Sequence, residues 1–295
     1  MAEQLKKDTE VKLLNAFTDN DKGGNPAGVV LDADELSNAA KQAIAAKLGL
    51  SEVAFVSSSA VADFKLDFFT PTRQIAHCGH ATIATFSYLS QTGRIKQQHS
   101  SKETIDGRRE ILIQGELAFM EQKAPAYLDS GAQRTTILQS LNLTEKDLVK
   151  DAPVSIVNTG NSFAVIPVLD STVLKNIAPD FKLINEVSEA FDLIGYYVFC
   201  TETSSAERDA STRMFAPRYG IEEESATGMA AGPLACYLYD VMGIKKKRYM
   251  IEQGWFMEKP SPSLILVDIE TADGKIKGLM AGGKGIATGA VNIEY

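Results

Sequence analysis

A chain of 295 residues with 44% hydrophobic and 23% charged side chains has the composition of a folded protein, either one large domain or two lobes. Lys and Arg number 30 against 38 Asp and Glu, a formal charge of −8, and that acidic balance disfavours a nucleic-acid partner. Cys78, Cys200 and Cys236 are odd in number and far apart, which excludes a disulfide framework and the usual zinc spacings. Residues 1–11 lack the apolar centre of a secretory signal, and no run approaches the ~18 apolar residues of a membrane helix. The expectation is a cytoplasmic protein that engages neither membrane nor nucleic acid. The one dense basic run, 245–248, follows Gly243 and reads as a solvated turn.

In chain order, 11–18 is strand-like and is followed by a glycine-rich turn and a short apolar strand in 24–31. Residues 36–48 carry apolar side chains at helical spacing, with Ser37 as N-cap and Gly49 as stop. Alternation makes strands of 51–57 and 62–70, and 81–91 reads as a helix closed by Gly93. Strands follow at 110–114 and 117–121, then a helix over 138–149. Residues 154–168 and 196–201 read as strands, with a short helix and turn in 173–184 between them. A strong helix spans 230–242, with Pro233 in its first turn, where proline is tolerated. Strands 263–269 and 275–281 flank Asp273-Gly274. Many strands with occasional helices indicate an α+β or mixed layout rather than an uninterrupted βαβ series.

The segment from Phe68, FFTPTRQIAHCGHATIATFSYL, resembles the segment from Met214, MFAPRYGIEEESATGMAAGPLACYL. Phe69, Pro71 and Ile75 match Phe215, Pro217 and Ile221 without a gap. Three inserted residues then bring Gly79 onto Gly228, Ala81 onto Ala230 and Tyr88-Leu89 onto Tyr237-Leu238. Cys78 falls opposite Glu224 before the gap and opposite Thr227 after it. Each copy reads as strand, turn, small-residue loop and helix. Small residues allow close backbone approach, and a helix N-terminus offers free N–H groups and a positive dipole end to an anion. Two such units could direct two helix N-termini at one carboxylated substrate.

Four blocks carry a family likeness: GNPAGVV at 24–30, SEVAFV at 51–56, CGHAT at 78–82, and RMFAPRYGIEEESATGMAAGPLACYL at 213–238. EQGWFMEKPS at 252–261 adds to it. Together they resemble the PhzF-like family, relatives of the phenazine-biosynthesis isomerase with the diaminopimelate-epimerase fold, over nearly the full length. The resemblance implies two pseudo-symmetric lobes, 1–128 and 129–295, with the last strands able to cross back to the first lobe. Each lobe would be a curved, mostly antiparallel sheet wrapped around a central helix, with the site in the cleft. It implies cofactor-independent proton transfer on a small carboxylated metabolite, the best-known family reaction being isomerisation of a dihydro-hydroxyanthranilate. A homodimer is expected at family level.

Carried over residue by residue, the resemblance makes Glu52 the general acid/base, a role a carboxylate fills when partial burial raises its pKa. It sets His80, in the Gly-His pair, against the substrate, and His77 ranks below it. Glu224 stands where the family pattern has Asp; Ser225 and Met229 also depart, replacing Pro and Ser. Cys78 occupies the place of the first catalytic thiol in the racemase relatives, and a helix N-terminus favours thiolate there. Gly79, Gly228 and Met229 are expected to offer backbone N–H groups to a substrate carboxylate, and Asn25 to shape the site through its turn. Two alternatives stand beside the isomerase: a racemase or epimerase using Cys78 and Glu224, and a non-catalytic small-acid binder. No metal, nucleotide or flavin signature is present; Gly-rich 282–285 lacks the spacing of a phosphate loop.

Overall fold

The computed structural model describes residues 7–295; the start of the stretch read for a leader, 1–6, lies outside the described residues. No helix among them is long and apolar enough to cross a membrane. The chain divides into two units. One holds the residues up to Met120 together with Gly283–Tyr295, the other Glu121–Gly282.

The first unit contains β1 (Asp8–Ala16), β2 (Asn25–Val30), β3 (Val53–Ser57), β4 (Phe64–Phe69), β5 (Gln74–Ile75), β6 (His99–Thr104), β7 (Gly107–Gln114) and the start of β8 (Leu117–Lys123), whose last three residues belong to the second unit. The second contains β9 (Ala126–Asp129), β10 (Ser155–Asn158), β11 (Ser162–Pro167), β12 (Leu193–Cys200), β13 (Ala210–Ala216), β14 (Ile221–Glu224), β15 (Arg248–Gln253) and β16 (Ser263–Ala272). The last strand, β17 (Lys275–Glu294), pairs through its first half with β16 and through its second with β1.

The pairing signs reveal the repeat. In the first unit β17–β1 and β1–β2 are antiparallel, β2–β3 parallel, β3–β4 antiparallel, β4–β6 parallel, and β6–β7 and β7–β8 antiparallel. In the second, β9–β10 and β10–β11 are antiparallel, β11–β12 parallel, β12–β13 antiparallel, β13–β15 parallel, and β15–β16 and β16–β17 antiparallel. The same signs recur in the same order, and β5 and β14 each lie antiparallel on the strand before them. This is the pseudo-symmetric α+β fold that the sequence likeness implied.

Parallel neighbours need a crossover, and helices supply it. The first crossover is α1 (Asn38–Leu48) in one unit; in the other it is α4 (Ser171–Lys175) with α5 (Phe181–Ala190). The second crossover is α2 (Gly79–Gln91) or α6 (Gly228–Asp240), while α3 (Arg134–Ser140) precedes β10. Both α2 and α6 are buried on nearly every face, which suits helices apolar all round. Each packs inside the sheet of its own unit: α2 against β1, β2, β3 and β7, α6 against β10, β11 and β16.

Local chemistry explains where the sequence reading held and where it failed. The Ser37 hydroxyl accepts from the Ala40 N–H and Gly49 takes the left-handed cap of α1, as the sequence indicated. Asp273 and Gly274, both at positive φ, make the expected hairpin turn. Residues 154–168 are instead two strands, because Gly160, at φ 121, closes a hairpin. The helix expected over 138–149 is α3, which ends at Ser140; Asn142 is left-handed, and the Asp147 carboxylate then accepts from the Thr144 N–H. The single helix expected in 173–184 is two, each started by an Asp cap, Asp170 and Asp180. Since α6 begins at Gly228, Pro233 stands past its first turn and has no N–H to give the Met229 carbonyl.

Two glycines of the GNPAG block are required by packing. Gly24 sits at φ +91 with a Cβ position 2.6 Å from the Ala16 carbonyl oxygen, and a Cβ on Gly28 would lie 2.6 Å from Leu48 Cδ2 of α1. The glycines at 282–285 lie within β17, where a Cβ on Gly285 would meet Ala84 Cα of α2 at 2.9 Å; they serve close packing. In the second unit a Cβ on Gly232 would sit 2.1 Å from Gln122 Oε1, an amide that also donates to the Gly228 carbonyl at 2.9 Å. Gly232→Ala is expected to destabilise the protein by about 1–3 kcal/mol, checked by urea unfolding.

Candidate active site

The two central helices begin differently from the first-crossover helices α1, α4 and α5, and share with α3 the lack of a side-chain cap. α1, α4 and α5 are capped by Ser37, Asp170 and Asp180, whereas neither Cys78 at the start of α2 nor Thr227 at the start of α6 caps its helix through the side chain. Both central helices start two residues before the sequence reading placed them, at Gly79 and Gly228. Cys78 and Thr227 therefore hold the same N-cap position, which settles the repeat alignment in favour of the gapped one. Glu224 lies three residues upstream of that position.

In the first unit Glu52, Cys78 and His80 come together. The Glu52 backbone carbonyl accepts from the Gly28 N–H at 3.0 Å, which ties the residue to β2 just before β3. Its side chain is 13% exposed and that of His80 6%. Glu52 Oε2 lies 3.3 Å from His80 Nε2, an ion-pair distance; the alignment fails hydrogen-bond geometry, so Oε2 is a buried carboxylate oxygen without a hydrogen bond. On the other side of the ring, His80 Nδ1 is 3.5 Å from Cys78 Sγ. The imidazole thus bridges a carboxylate and a thiol. Asn25 and Gly79 are buried in the same unit.

Burial pushes the Cys78 thiol up from its ordinary value, and the nearby His80 opposes this only in part. That corrects the expectation of a thiolate drawn from the helix N-terminus: loss of solvent outweighs the dipole. The donor atoms of Glu52, Cys78 and His80 lie within 4.8 Å of one another, close enough to gather round a divalent ion. A thiophilic ion would bind the thiolate by displacing its proton, and the raised thiol pKa makes that displacement costlier.

Behind the cluster lies a group that sequence reading missed. Lys102 on β6 is fully buried; its Nζ donates to Thr82 Oγ1 at 2.7 Å, lies 3.1 Å from His77 Nδ1, and stands 5.3 Å from the Phe68 ring centre. Burial lowers its pKa to about 7, with Arg109 pushing the same way and Cys78 opposing. His77 is held well below its ordinary value by burial, then by the Lys102 and Arg109 charges, and is a neutral ring beside Lys102. The only sequence signal was a lysine in a polar stretch, HSSKET, which does not read as a strand.

In the second unit Glu224, Gly228 and Met229 sit at the start of α6, and a second missed residue, Gln253 of β15, organises it. Its amide oxygen accepts from the Thr227 N–H at 3.0 Å and the Tyr197 hydroxyl at 2.9 Å. Its amide nitrogen donates to the Glu224 carbonyl at 2.7 Å and Thr227 Oγ1 at 3.1 Å. Thr227 Oγ1 in turn donates to Glu224 Oε2 at 2.5 Å. Three of the four bonds of the Gln253 amide hold residues 224–227, and the fourth, from Tyr197, anchors the amide itself. Of the three acidic neighbours, Glu222 is exposed and Glu223 forms a two-pronged pair with Arg213, so only Glu224 faces this network. Met229 Sδ accepts from Asn161 Nδ2 at 3.5 Å.

A duplicated sheet-and-helix fold with a carboxylate–imidazole–thiol cluster at one central helix start defines an epimerase-like architecture, and comparison with known proteins specifies it. The family model described as phenazine biosynthesis-like protein matches residues 14–288. The uncharacterized isomerase YfhB of Bacillus subtilis is 30% identical over 94% of this chain and 96% of its own. The trans-2,3-dihydro-3-hydroxyanthranilate isomerase of Pseudomonas chlororaphis is 27% identical over the same shares. The crystal structure of a PhzF-family phenazine biosynthesis protein from Bacillus anthracis superposes with a TM-score of 0.87 at 28% identity, over 97% of this chain and 99% of that one. The chain belongs to the phenazine biosynthesis-like (PhzC/PhzF) family. Its activity class is isomerase.

The Lys102 environment predicts a pH-dependent stability. An unfolded lysine keeps its proton up to about 10.5, whereas this one sheds it near 7. Between those values the unfolded chain holds the extra proton, so the folded state gains stability as pH rises, and below about 7 the full burial cost is present. Lys102→Met should therefore stabilise the protein more at pH 6.5 than at pH 9.5, by about 2–3 kcal/mol, read from urea unfolding at the two pH values.

Proposed function

We propose that the protein is a cofactor-independent isomerase that moves a proton within a small carboxylate-bearing metabolite. The observation that carries this reading is the buried, unbonded oxygen of Glu52, 3.3 Å from a buried imidazole. A carboxylate so placed has an open lone pair for a substrate proton, and the imidazole beside it can hold or return one. The thiol on the far side of the ring orients the imidazole rather than acting as base. First-turn amides at Gly79, uncapped by Cys78, are the donors for a substrate carboxylate. Glu224, Gly228 and Met229 form the matching helix start of the second unit, and their part in binding or relay rests on the family motif.

The departures at Glu224, Ser225 and Met229 bear on the substrate. Glu224 is committed to Thr227 by a 2.5 Å bond, and Met229 offers a thioether where the family motif has a hydroxyl. The substrate we infer therefore presents a less polar face to that loop than a dihydro-hydroxyanthranilate, while keeping the carboxylate and a mobile hydrogen.

The test is hydrogen exchange from deuterated water into a panel of small carboxylic acids that includes trans-2,3-dihydro-3-hydroxyanthranilate, followed by NMR. Glu52→Gln should lower exchange by about 10²–10⁴-fold with ligand-induced thermal stabilisation retained. Full exchange in that variant removes the mechanism. Cys78→Ser is expected to keep exchange within about tenfold of the parent, and iodoacetamide to inactivate slowly because the thiol is protonated and buried. Rapid, substrate-protected alkylation at Cys78 would instead support a thiol-based racemase.

A further inference from the structure

The repeat provides an internal control for Lys102. The β4–β6 register sets Phe64 against Lys102, and the β13–β15 register sets Ala210 against Ile251. Phe64 and Ala210 are equivalent under the ungapped repeat alignment, so Lys102 and Ile251 occupy one position of the duplicated fold. Both are fully buried. Thr82, the partner of Lys102, is likewise equivalent to Ala231 under the gapped alignment, and both are fully buried as well. The architecture needs only an isoleucine and an alanine at these places. In the first unit it carries a lysine and a threonine, with no carboxylate within ion-pair distance of the lysine among the described residues. Such a burial opposes stability, so packing does not account for it.

What the pair does is legible in its hydrogen bonds. Lys102 Nζ donates to Thr82 Oγ1 at 2.7 Å, and Thr82 Oγ1 donates to the Cys78 carbonyl at 2.6 Å. That same carbonyl accepts the first helical bond of α2, from the Thr82 N–H, at a long 3.3 Å. The side-chain bond is the shorter of the two and carries the restraint at the helix start.

We propose that Lys102 is a positioning residue of the candidate active site: acting through Thr82, it clamps the Cys78 carbonyl and fixes where the first turn of α2 presents Cys78 and His80 to Glu52. The proposal rests on the acid–base reading of Glu52. The ionisable groups that act on this amine are His77 and Cys78 ahead of α2, Arg109 on β7 and Asp106 in the β6–β7 turn, while β4 supplies the Phe68 ring. The amine changes charge near neutral pH, so the clamp adds its own ionisation to the activity profile.

The test transplants the second unit's solution into the first, as the double variant Lys102→Ile with Thr82→Ala, and repeats it with Lys102→Met alone. Deuterium exchange into whichever acid of the panel turns over is followed from pH 6 to 9. The expected result is a 10–100-fold fall in kcat with KM within about twofold, and loss of one ionisation near pH 7 from the profile. Amide exchange of Thr82, read by NMR, should rise at least tenfold without a lower melting temperature. Unchanged kcat and pH profile in an enzyme whose Glu52→Gln form is dead would overturn the clamp and leave the acid–base reading intact. If no acid turns over, the acid–base reading fails, and the Thr82 amide decides the clamp alone: unaltered exchange there overturns it.

Discussion

The structure depends on burying two helix starts. A helix N-terminus leaves four N–H groups without intrahelical acceptors, and inside a protein such groups need partners. This chain gives side-chain caps to three other helices and withholds them from the two helices at the centres of its sheets. Cys78 and Thr227 both occupy the N-cap, and neither side chain caps its helix. The Thr227 hydroxyl could cap but is turned to Glu224 instead. Surrounding sheets offset the loss through the burial of α2 and α6 on almost every face, at about 1.5–3 kcal/mol for each large apolar side chain removed from water. Stability is supplied by the helix bodies, and the helix starts are left without side-chain caps.

Much of this was legible in the sequence. The repeat, the family blocks, the cap and stop of α1 and the Asp-Gly hairpin turn each rest on a local signal, and local signals survive folding. Glu52, Cys78 and His80 were nominated from motifs, and the fold gathers them within one unit. What was not legible depends on partners remote in the chain. Gln253 matters because Thr227, Tyr197 and Glu224 surround it, and Lys102 because β6 carries it to Thr82. A polar strand such as HSSKET has no apolar alternation, so it does not announce itself. The helix expected over 138–149 failed for a related reason: leucine spacing fits a helix, but Asn142 in the left-handed region breaks the backbone while leaving the leucines inside.

The thiol illustrates how magnitude decides between two correct ideas. A helix N-terminus does favour thiolate, by an effect confined to the first turn and worth about 0.3–1 kcal/mol at the surface. Complete burial strips the anion of its hydration, which costs more than the dipole returns, and the Cys78 thiol is pushed up accordingly. Loss of hydration disfavours the charged form of the buried Lys102 as well, and because that form is the protonated one its pKa moves down instead of up. A protonated thiol and a lysine that loses its charge near neutrality lie on either side of the α2 start. Both lower the density of fixed charge around the Glu52–His80 pair.

The duplicated fold separates what the architecture requires from what the chemistry adds. Gly79 and Gly228 are retained at both helix starts, so a small first residue belongs to the architecture. Cys78 and Thr227 differ, as do Thr82 and Ala231, and Lys102 and Ile251. Ionisable groups have accumulated beside the first helix start. Beside the second there is an amide network, in which Gln253 bonds Thr227, the Glu224 carbonyl and Tyr197. The amide itself carries no charge at any pH, whereas Lys102 in the first unit changes charge near neutrality. The two helix starts are alike in backbone and differ in the side chains set beside them: a carboxylate, an imidazole, a thiol and an amine gather at the first, and a glutamine amide organises the second.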